Sequence, residues 1–595
     1  MKILLVAVNA KYIHSNLAVY SLRAYANKYA GDIKIVEMTI NHPEEEILKA
    51  IYREKAGVVA FSCYIWNIGI IRRVAAELRK LEPKIKIWFG GPEVTYDAHR
   101  CLTSNKFLDG IMLGEGEQTF LELAGFYLEG PGSLEDIAGL AFRESAGDFS
   151  ISIPAPKAEE QIHMTSQRKP LILDTIPFPY EDMEVFQNRI IYYESSRGCP
   201  FSCSYCLSSI DRGVRLRSAV LVKQELKKLL DYKVPQVKFV DRTFNCNKKH
   251  AMEIWSFIKE NDNGITNFHF EISAELLTEE ELELLSSLRP GLIQLEIGVQ
   301  STNQDTLRAI HRSMDLDRLK DNVEKIRAGR NINQHLDLIA GLPLEDEVSF
   351  EKSFGEVYAM KPDQLQLGFL KVLKGSPIEQ ESSSYGIVFR DEPPYEVLYT
   401  EYIDYDALLR LKGICEMVEL YYNSAQFTAS LRYLEGYYDS SMRLYRELYE
   451  YYEKKGLSLM SHSRMRRYEI LLDFFEELLS LPGRKKEPEA FSLFKELLVF
   501  DLFTREDIKA RPPFSPVNPL QGRGQELYRR FGLDRGTIHL EQFQYDIMTF
   551  VNQGKVVKKE NILLFDYSRR DPRSRAAAVS VLEGQPDCCY SPGCK

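Results

Sequence analysis

Twice along the chain, short apolar runs alternate with amphipathic helical stretches, and this limits the fold more than any other feature. In the first third the strand-like runs are Lys2–Val8, Ile33–Ile40, Val58–Cys63, Ile85–Phe89 and Gly110–Leu113, separated by helical stretches at Leu17–Tyr29, Glu44–Lys55 and Ile68–Leu81 and followed by Thr119–Leu128. In the central third six such runs recur, each followed by a helical segment: Ile190–Glu194, Val237–Val240, Phe268–Ile272, Leu292–Ile297, His335–Ala340 and Leu365–Leu370. Strands that take turns with helices form βαβ units and parallel sheets covered by helices. The fold class is therefore α/β, beginning with a doubly wound, Rossmann-like domain. At 595 residues the chain predicts three to four domains, at about 150 residues each.

Immediately after the first central run stand Cys199, Cys203 and Cys206, separated by three and then two residues. A structural zinc site takes four protein ligands, usually as two close pairs, whereas three thiols on one loop leave a metal position open. Half of a zinc site completed from elsewhere, or a chance grouping of buried thiols, is the competing reading. Ten cysteines in the chain fit a reducing compartment in which thiolates stay available to metal. No run reaches the ~18 apolar residues of a membrane span, and Met1–Val8 is read as a first strand rather than a secretion signal. A cytoplasmic protein with no membrane association is expected, as a monomer. The net charge of −10 argues against broad nucleic-acid binding, which relies on positive charge opposite phosphates.

Ligands of doubly wound sheets lie beyond the carboxyl ends of the strands. The segments there are Asn9–Asn16, Ser62–Asn67, Gly90-Gly91-Pro92-Glu93 and Gly114-Glu115-Gly116-Glu117. Glycines allow close backbone approach to a ligand and the glutamates offer acceptors. Tight turns alone would account for any one of these loops; four on one rim point to a binding site.

The loop Gly198-Cys199-Pro200-Phe201-Ser202-Cys203-Ser204-Tyr205-Cys206 resembles the cluster loop of the radical S-adenosylmethionine (SAM) superfamily, with its Cys-x3-Cys-x2-Cys spacing and an aromatic before the third cysteine. The resemblance implies a [4Fe–4S] cluster on Cys199, Cys203 and Cys206, its fourth iron chelated by SAM. The six central runs match the partial (βα)6 TIM-type barrel of those enzymes. The N-terminal loops, with Asp109-Gly110-x3-Gly114-Glu115-Gly116-Glu117-x-Thr119-Phe120, look like the cobalamin-binding domain that precedes many radical SAM domains. Asn9–Asn16 lacks the Asp-x-His-x-x-Gly that supplies an axial histidine in the methionine-synthase type. Cobalt without a histidine ligand is therefore expected, with Tyr64, Ile65 and Trp66 closing its lower face, although His14 is near enough in sequence to be a candidate.

The resemblance also assigns contacts. Asn9, His14, Ser62, Tyr64, Trp66, Gly90, Gly91, Pro92, Glu93, Gly114, Glu115, Gly116 and Glu117 are the cobalamin candidates. Tyr205, Asp241, Thr243, Asn245, Glu271, Ser273, Glu296, Gln300, His335 and Gly341 are the SAM candidates, taken from the carboxyl ends of the barrel strands. For each of these polar positions the alternative is a rim residue satisfied by a neighbour. Cys246 is read as a small buried residue.

The expected division is a cobalamin-binding domain at 1–145, a linker with a small hairpin at 146–189, the radical SAM barrel at 190–389, a mainly helical domain at 390–584, and a tail at 585–595 carrying Cys588, Cys589 and Cys594. The hairpin pairs Ile137–Phe142 with Phe149–Ile153, and the helical domain is expected to cover the barrel mouth. The implied activity is reductive cleavage of SAM to a 5′-deoxyadenosyl radical and methylation of an unactivated carbon through methylcobalamin. Electrons would come from a reductant such as flavodoxin or ferredoxin. Cyclisation, rearrangement or redox chemistry without methyl transfer is the alternative, and a non-catalytic cobalamin or redox sensor is an alternative of another class. The substrate, whether a small molecule, a peptide or a modified nucleotide, is not written in any motif.

Overall fold

A computed structural model describes all residues except 131, 144–160, 482–487, 509–510, 516–519, 521, 583–588 and 591–595. The first domain is a seven-stranded sheet of β1 (Ile3–Asn9), β2 (Ile33–Thr39), β3 (Val58–Ser62), β4 (Lys86–Gly90), β5 (Gly110–Met112), β6 (Leu140–Arg143) and β7 (Ile162–Met164), in the order β2-β1-β3-β4-β5-β6-β7. The first five strands are parallel and the last two antiparallel. All of β1 and β3 is buried, as strands covered on both faces require. Strand order reverses between β1 and β3, so the chains leaving their carboxyl ends part and open a crevice. Asn67 fixes its floor by donating to the carbonyls of Val8 and Ser62, 3.0 Å each.

The hairpin is formed differently from its expectation. β6 pairs with β7 at 162–164, and the expected second arm, 149–153, lies outside the described residues. The proline-rich stretch that follows is packed rather than a bare connection: Tyr180 is buried and donates to the Tyr192 carbonyl, and Arg217 donates to the Ile176 carbonyl at 2.7 Å.

The second domain is a sheet of six parallel strands, Ile190–Tyr193, Gln236–Phe239, Asn267–Ile272, Ile293–Gln300, Asn333–Ala340 and Gln364–Phe369, in sequential order. Right-handed crossovers between sequential parallel strands place every helix on one face, and the sheet curls around the other into a partial barrel. Ile293, Leu295, Ile297 and Val299 point outward into the helical layer and are buried. The alternate residues Gln294, Glu296, Gly298 and Gln300 face the concave side. Lys238, His269, Glu271, His335 and Asp337 stand at equivalent positions on neighbouring strands, which makes the barrel interior polar.

Six strands leave two open edges, and unpaired edges must be covered. At the first, Ile190 bridges to His14 and its N–H donates to the Ile13 carbonyl at 2.7 Å. At the last, Asn423 accepts from the Leu365 N–H at 2.9 Å and donates to the Leu365 carbonyl at 3.0 Å, as a further strand would. Cys415 Sγ donates to the Leu367 carbonyl at 3.5 Å. Asn423 belongs to the third domain, whose main helices are Tyr405–Met417, Thr428–Glu435, Ser441–Lys454, Arg464–Leu479 and Pro488–Arg505. An antiparallel sheet of Ile538–Phe543, Asn561–Arg570, Ala577–Val581 and Cys589–Tyr590 completes it. This region meets the barrel in two places: Asn423 closes its last edge, and Val397 and Leu408 stand beside Gly341, just past the carboxyl end of the fifth strand. Cys588 and Cys594 lie outside the described residues.

Asn423→Ala should leave both Leu365 backbone groups unpaired at a half-buried edge. A loss of about 1–3 kcal/mol in the denaturation free energy of the barrel is expected, read from urea unfolding followed by tryptophan fluorescence.

Candidate functional site

A cavity of about 1230 Å³ lies between the carboxyl edge of the first sheet and the mouth of the barrel. Its walls are the segments that follow β1, β3, β4 and β5, the end of the linker, the cysteine loop, and the ends of the first two barrel strands. Twelve of the thirteen cobalamin candidates line it: Asn9, His14, Ser62, Tyr64, Trp66, Gly90, Gly91, Pro92, Gly114, Glu115, Gly116 and Glu117. Gly91 has φ +110, and a Cβ there would stand 2.5 Å from the Cys63 carbonyl oxygen, so only glycine makes this turn. Tyr64 and Trp66 stack with ring centroids 4.4 Å apart and planes 8° from parallel, giving the wall an aromatic face. His14 Nδ1 is engaged by the Tyr192 hydroxyl at 2.7 Å, and burial lowers its pKa, so it stands as a neutral, partnered imidazole.

The thirteenth candidate is displaced. Glu93 turns away from the cavity and is buried in a clasp between domains, with Lys374 at 3.3 Å and the Tyr395 hydroxyl donating to it. Glu115 and Glu117 line the cavity with their carboxylates already used. Glu117 pairs with Arg197, Glu115 with Arg215, and Arg197 also reaches Glu115 at 3.4 Å and Glu194 at 2.9 Å. Against the opposing effect of burial, Arg197 holds the Glu117 carboxyl below its ordinary value. These glutamates therefore join domains instead of offering free acceptors. The arginines that claim them lie in the pairing segments Ser196–Arg197 and Arg215–Leu216, which close the cysteine loop at its base.

On that loop Gly198 has φ +90, and a Cβ there would meet the Gly213 carbonyl oxygen at 2.5 Å. The Cys199 N–H donates to the Asp211 carbonyl at 3.0 Å and the Ser204 N–H to the Ile310 carbonyl at 2.9 Å, which fixes the loop against the barrel. Cys199 and Cys203 are buried and Cys206 half-buried. Cys199 Sγ stands 3.7 Å from Thr243 Oγ1, and Arg312 Nη1 donates to Cys203 Sγ at 3.7 Å. Burial pushes the Cys203 thiol up, and the Arg312 charge pulls it back. Among the described residues no three His, Cys, Asp or Glu side chains converge on a single ion. A cluster makes no such demand, because each thiolate binds a different iron.

The SAM candidates divide into two groups. Asp241 is buried and accepts from the Ser195 N–H at 2.9 Å and from the Ser195 and Ser196 hydroxyls at 2.6 Å each. Asn245 and the Ser273 backbone bond each other in both directions, at 2.8 and 3.0 Å. Thr243 donates to the Arg242 carbonyl at 2.8 Å. Gly341 has φ +83, and Val397 fills the space beside it, 2.7 Å from where a Cβ would be. In Asp241, Asn245 and Ser273 these contacts fasten the barrel rim and the start of the cysteine loop. Tyr205 is packed in beside Cys203 and Arg312, its hydroxyl pKa raised by burial.

The remaining group lies inside the barrel. Burial and the neighbouring Glu296 push Glu271 up to about 7, and burial with Glu296 and Glu271 pushes Asp337 up to about 8. Glu296 itself accepts from His269 at 2.9 Å and from Lys238 at 3.2 Å; these partners overcome burial and hold it at about 2. His335 is lowered to about 4 by burial and by His269, and its ring meets Gln294 at 3.0 Å. Three atoms here are buried with no partner among the described residues: Gln300 Oε1, Asp337 Oδ1 and Arg312 Nε. Buried polar atoms ordinarily find partners, so these three are open hydrogen-bonding positions inside the barrel. Asp337 closes the fifth strand's His335-Leu-Asp337, which the family resemblance places at the adenosine end of the barrel, whereas Arg312 is absent from the sequence reading. An arginine after a short helix carries no spacing signal; only the fold turns it toward Cys203.

Family models match three parts of the chain: a B12 binding domain over residues 3–124, the radical SAM superfamily over 193–357, and a protein of unknown function, DUF4080, over 383–531. The cobalamin-dependent radical SAM methyltransferase TokK of Streptomyces tokunonensis is 25% identical over 56% of this chain and 49% of its own length. The anaerobic magnesium-protoporphyrin IX monomethyl ester cyclase of Rubrivivax gelatinosus is 22% identical over 57% of this chain and 60% of its own. The chain thus spans about half the length of the first of these relatives and less than two thirds of the second. The solved structure of the cobalamin-dependent SAM radical enzyme OxsB with aqua-cobalamin bound superposes with a TM-score of 0.56 at 14% identity, covering 84% of this chain and 80% of that one, and shows the shared fold. No helix among the described residues is long and apolar enough to cross a membrane. With the first sheet matching a B12-binding domain and the cysteine-bearing barrel a radical SAM domain, the chain carries the pair of domains that defines the cobalamin-dependent radical SAM enzymes, with a [4Fe–4S] cluster, SAM and cobalamin as cofactors.

Proposed function

We propose that the protein methylates an unactivated carbon. The observation that carries this reading is the cavity itself, because one continuous space is walled by the B12-binding loops on one side and by the cysteine loop and barrel rim on the other. When bound, the cluster, SAM and cobalamin supply reductive SAM cleavage, hydrogen abstraction and a methyl donor. Cys199, Cys203 and Cys206 hold the cluster on a loop that Gly198, Asp211 and Ile310 keep rigid. Arg312 donates to the Cys203 sulfur, and such hydrogen bonds tune a cluster's reduction potential. Gln300, Arg312 and Asp337 would offer their unpartnered atoms to SAM inside the barrel, and the stacked Tyr64 and Trp66 would give a bound corrinoid an aromatic wall. His14, neutral and engaged by Tyr192, would line the corrinoid site with its Nδ1 already partnered. The electron comes from an external low-potential donor of the flavodoxin or ferredoxin kind. A cyclase among the relatives supports a second reading, in which the same cofactors drive cyclisation without methyl transfer.

Incubation of the reconstituted enzyme with methyl-labelled SAM, reductant and a cell extract should place label in a new product. Substrate consumption without label would establish the second reading instead. Cys203→Ala should lose the cluster iron and all 5′-deoxyadenosine formation, whereas Cys246→Ala should keep its iron, as read by iron analysis and chromatography.

The polar barrel interior predicts a pH dependence. Asp337 keeps its proton up to about pH 8 in the folded chain but loses it near pH 3.9 when unfolded. The folded state then holds the extra proton, so stability falls as pH rises between these values. Asp337→Asn removes that loss, and its Tm advantage over the wild-type apoprotein should grow as melts are taken from about pH 5 to about pH 8.

A further inference from the structure

Four cationic side chains line the cavity: Arg168, Lys169, Arg197 and Arg242. Arg168 is neutralised by Glu122, and Arg197 by Glu115, Glu117 and Glu194. Lys169 is exposed on the linker beside the first sheet. Arg242 differs from the two paired arginines in state and from Lys169 in place. It stands at the carboxyl end of the second barrel strand, exposed to the cavity, and its guanidinium has no hydrogen-bond or ion-pair partner among the described residues.

Its backbone is held firmly while its side chain is not. Asp241 before it is fixed by Ser195 and Ser196, and Thr243 after it stands 3.7 Å from the Cys199 sulfur. The Arg242 charge acts on Tyr64 in the corrinoid wall and on Glu271 in the barrel interior. The residue is therefore at the junction of the three cofactor regions, where a reacting molecule has to lie. A guanidinium presents its donors in a planar fork that suits carboxylate and phosphate oxygens in pairs. In a protein of net charge −10, one such fork favours a small molecule with a single oxyanion over a polyanion.

We propose that Arg242 is the substrate-recognition residue and that the substrate is a small molecule carrying a carboxylate or a phospho group, which this guanidinium holds at the barrel mouth. The inference rests on the reading above only in placing the substrate between the corrinoid wall and the barrel interior.

The test is equilibrium dialysis of holoenzyme, reconstituted with cluster and hydroxocobalamin, against phenylphosphonate, benzoate and the neutral control benzamide. Wild type should retain at least one anion in preference to benzamide, Arg242→Gln should weaken that binding roughly tenfold or more, and Arg242→Lys should recover part of it. Preference between the two anions identifies a phospho or a carboxylate substrate. No preference over benzamide, or unchanged anion affinity in Arg242→Gln, overturns the assignment. Loss of corrinoid together with the anion would give Arg242 to the corrinoid's own phosphate and overturn it as well. Failure of the preceding reading shows separately, as wild-type protein that takes up no corrinoid or forms no 5′-deoxyadenosine with dithionite and SAM before any anion is added.

Discussion

The architecture depends on the ion pairs that Arg197 and Arg215 make with Glu117, Glu115 and Glu194. These charges lie in partly or fully buried surroundings, where desolvation offsets most of the attraction. Their contribution is geometric. Removing one partner of a buried pair costs about 3–5 kcal/mol because the other charge is stranded, so the contact tolerates little drift. Both arginines sit at the base of the cysteine loop, while Glu115 and Glu117 lie on the segment that follows β5, which ties the end of the first sheet to the cysteine loop as one salt-bridged unit. The Glu93–Lys374 clasp holds the domains at another point of the mouth, and the bridge from His14 to Ile190 holds them along the barrel's first edge.

Beneath that mouth the barrel reverses the usual distribution of polarity. Its outward residues form the apolar core with the helices, and its concave face gathers Lys238, His269, Glu271, Glu296, His335 and Asp337. The group does not ionise uniformly. Glu296 takes the charge because His269 and Lys238 support it, and its negative field with burial keeps Asp337 and Glu271 protonated to higher pH. One carboxylate thus fixes the state of two others.

Much of the fold is legible in the sequence because alternation of period two and period 3.6 is a local signal: all six barrel strands overlap the apolar runs that announce them. The cobalamin loops are legible for a related reason, since position after a strand determines which rim a residue occupies. What escapes is the direction of a polar side chain. Asp241 and Glu93 follow strands as expected, yet Ser195 and Ser196 claim the first and Lys374 the second. These partners are 45, 46 and 281 residues away, and no local pattern records them. Arg312 is hidden for the converse reason, being ordinary in sequence and exceptional only in its contact with the Cys203 sulfur and in a buried Nε without a partner among the described residues.

The seal that Asn423 makes on Leu365 separates two tasks that a closed barrel would combine. An eight-stranded barrel closes itself with its own strands, so any change in its closure disturbs every strand end. Here closure is delegated to Asn423 and Cys415, side chains from another part of the chain pressed against the last strand. Beyond the segment that carries Tyr395 and Val397, which serves the mouth, the C-terminal third can then be remodelled, lengthened or exchanged so long as it still presents a donor and an acceptor to that edge. Reaction chemistry and structural completion become independently inheritable, and a single radical-generating core can be carried by chains whose final thirds have little in common.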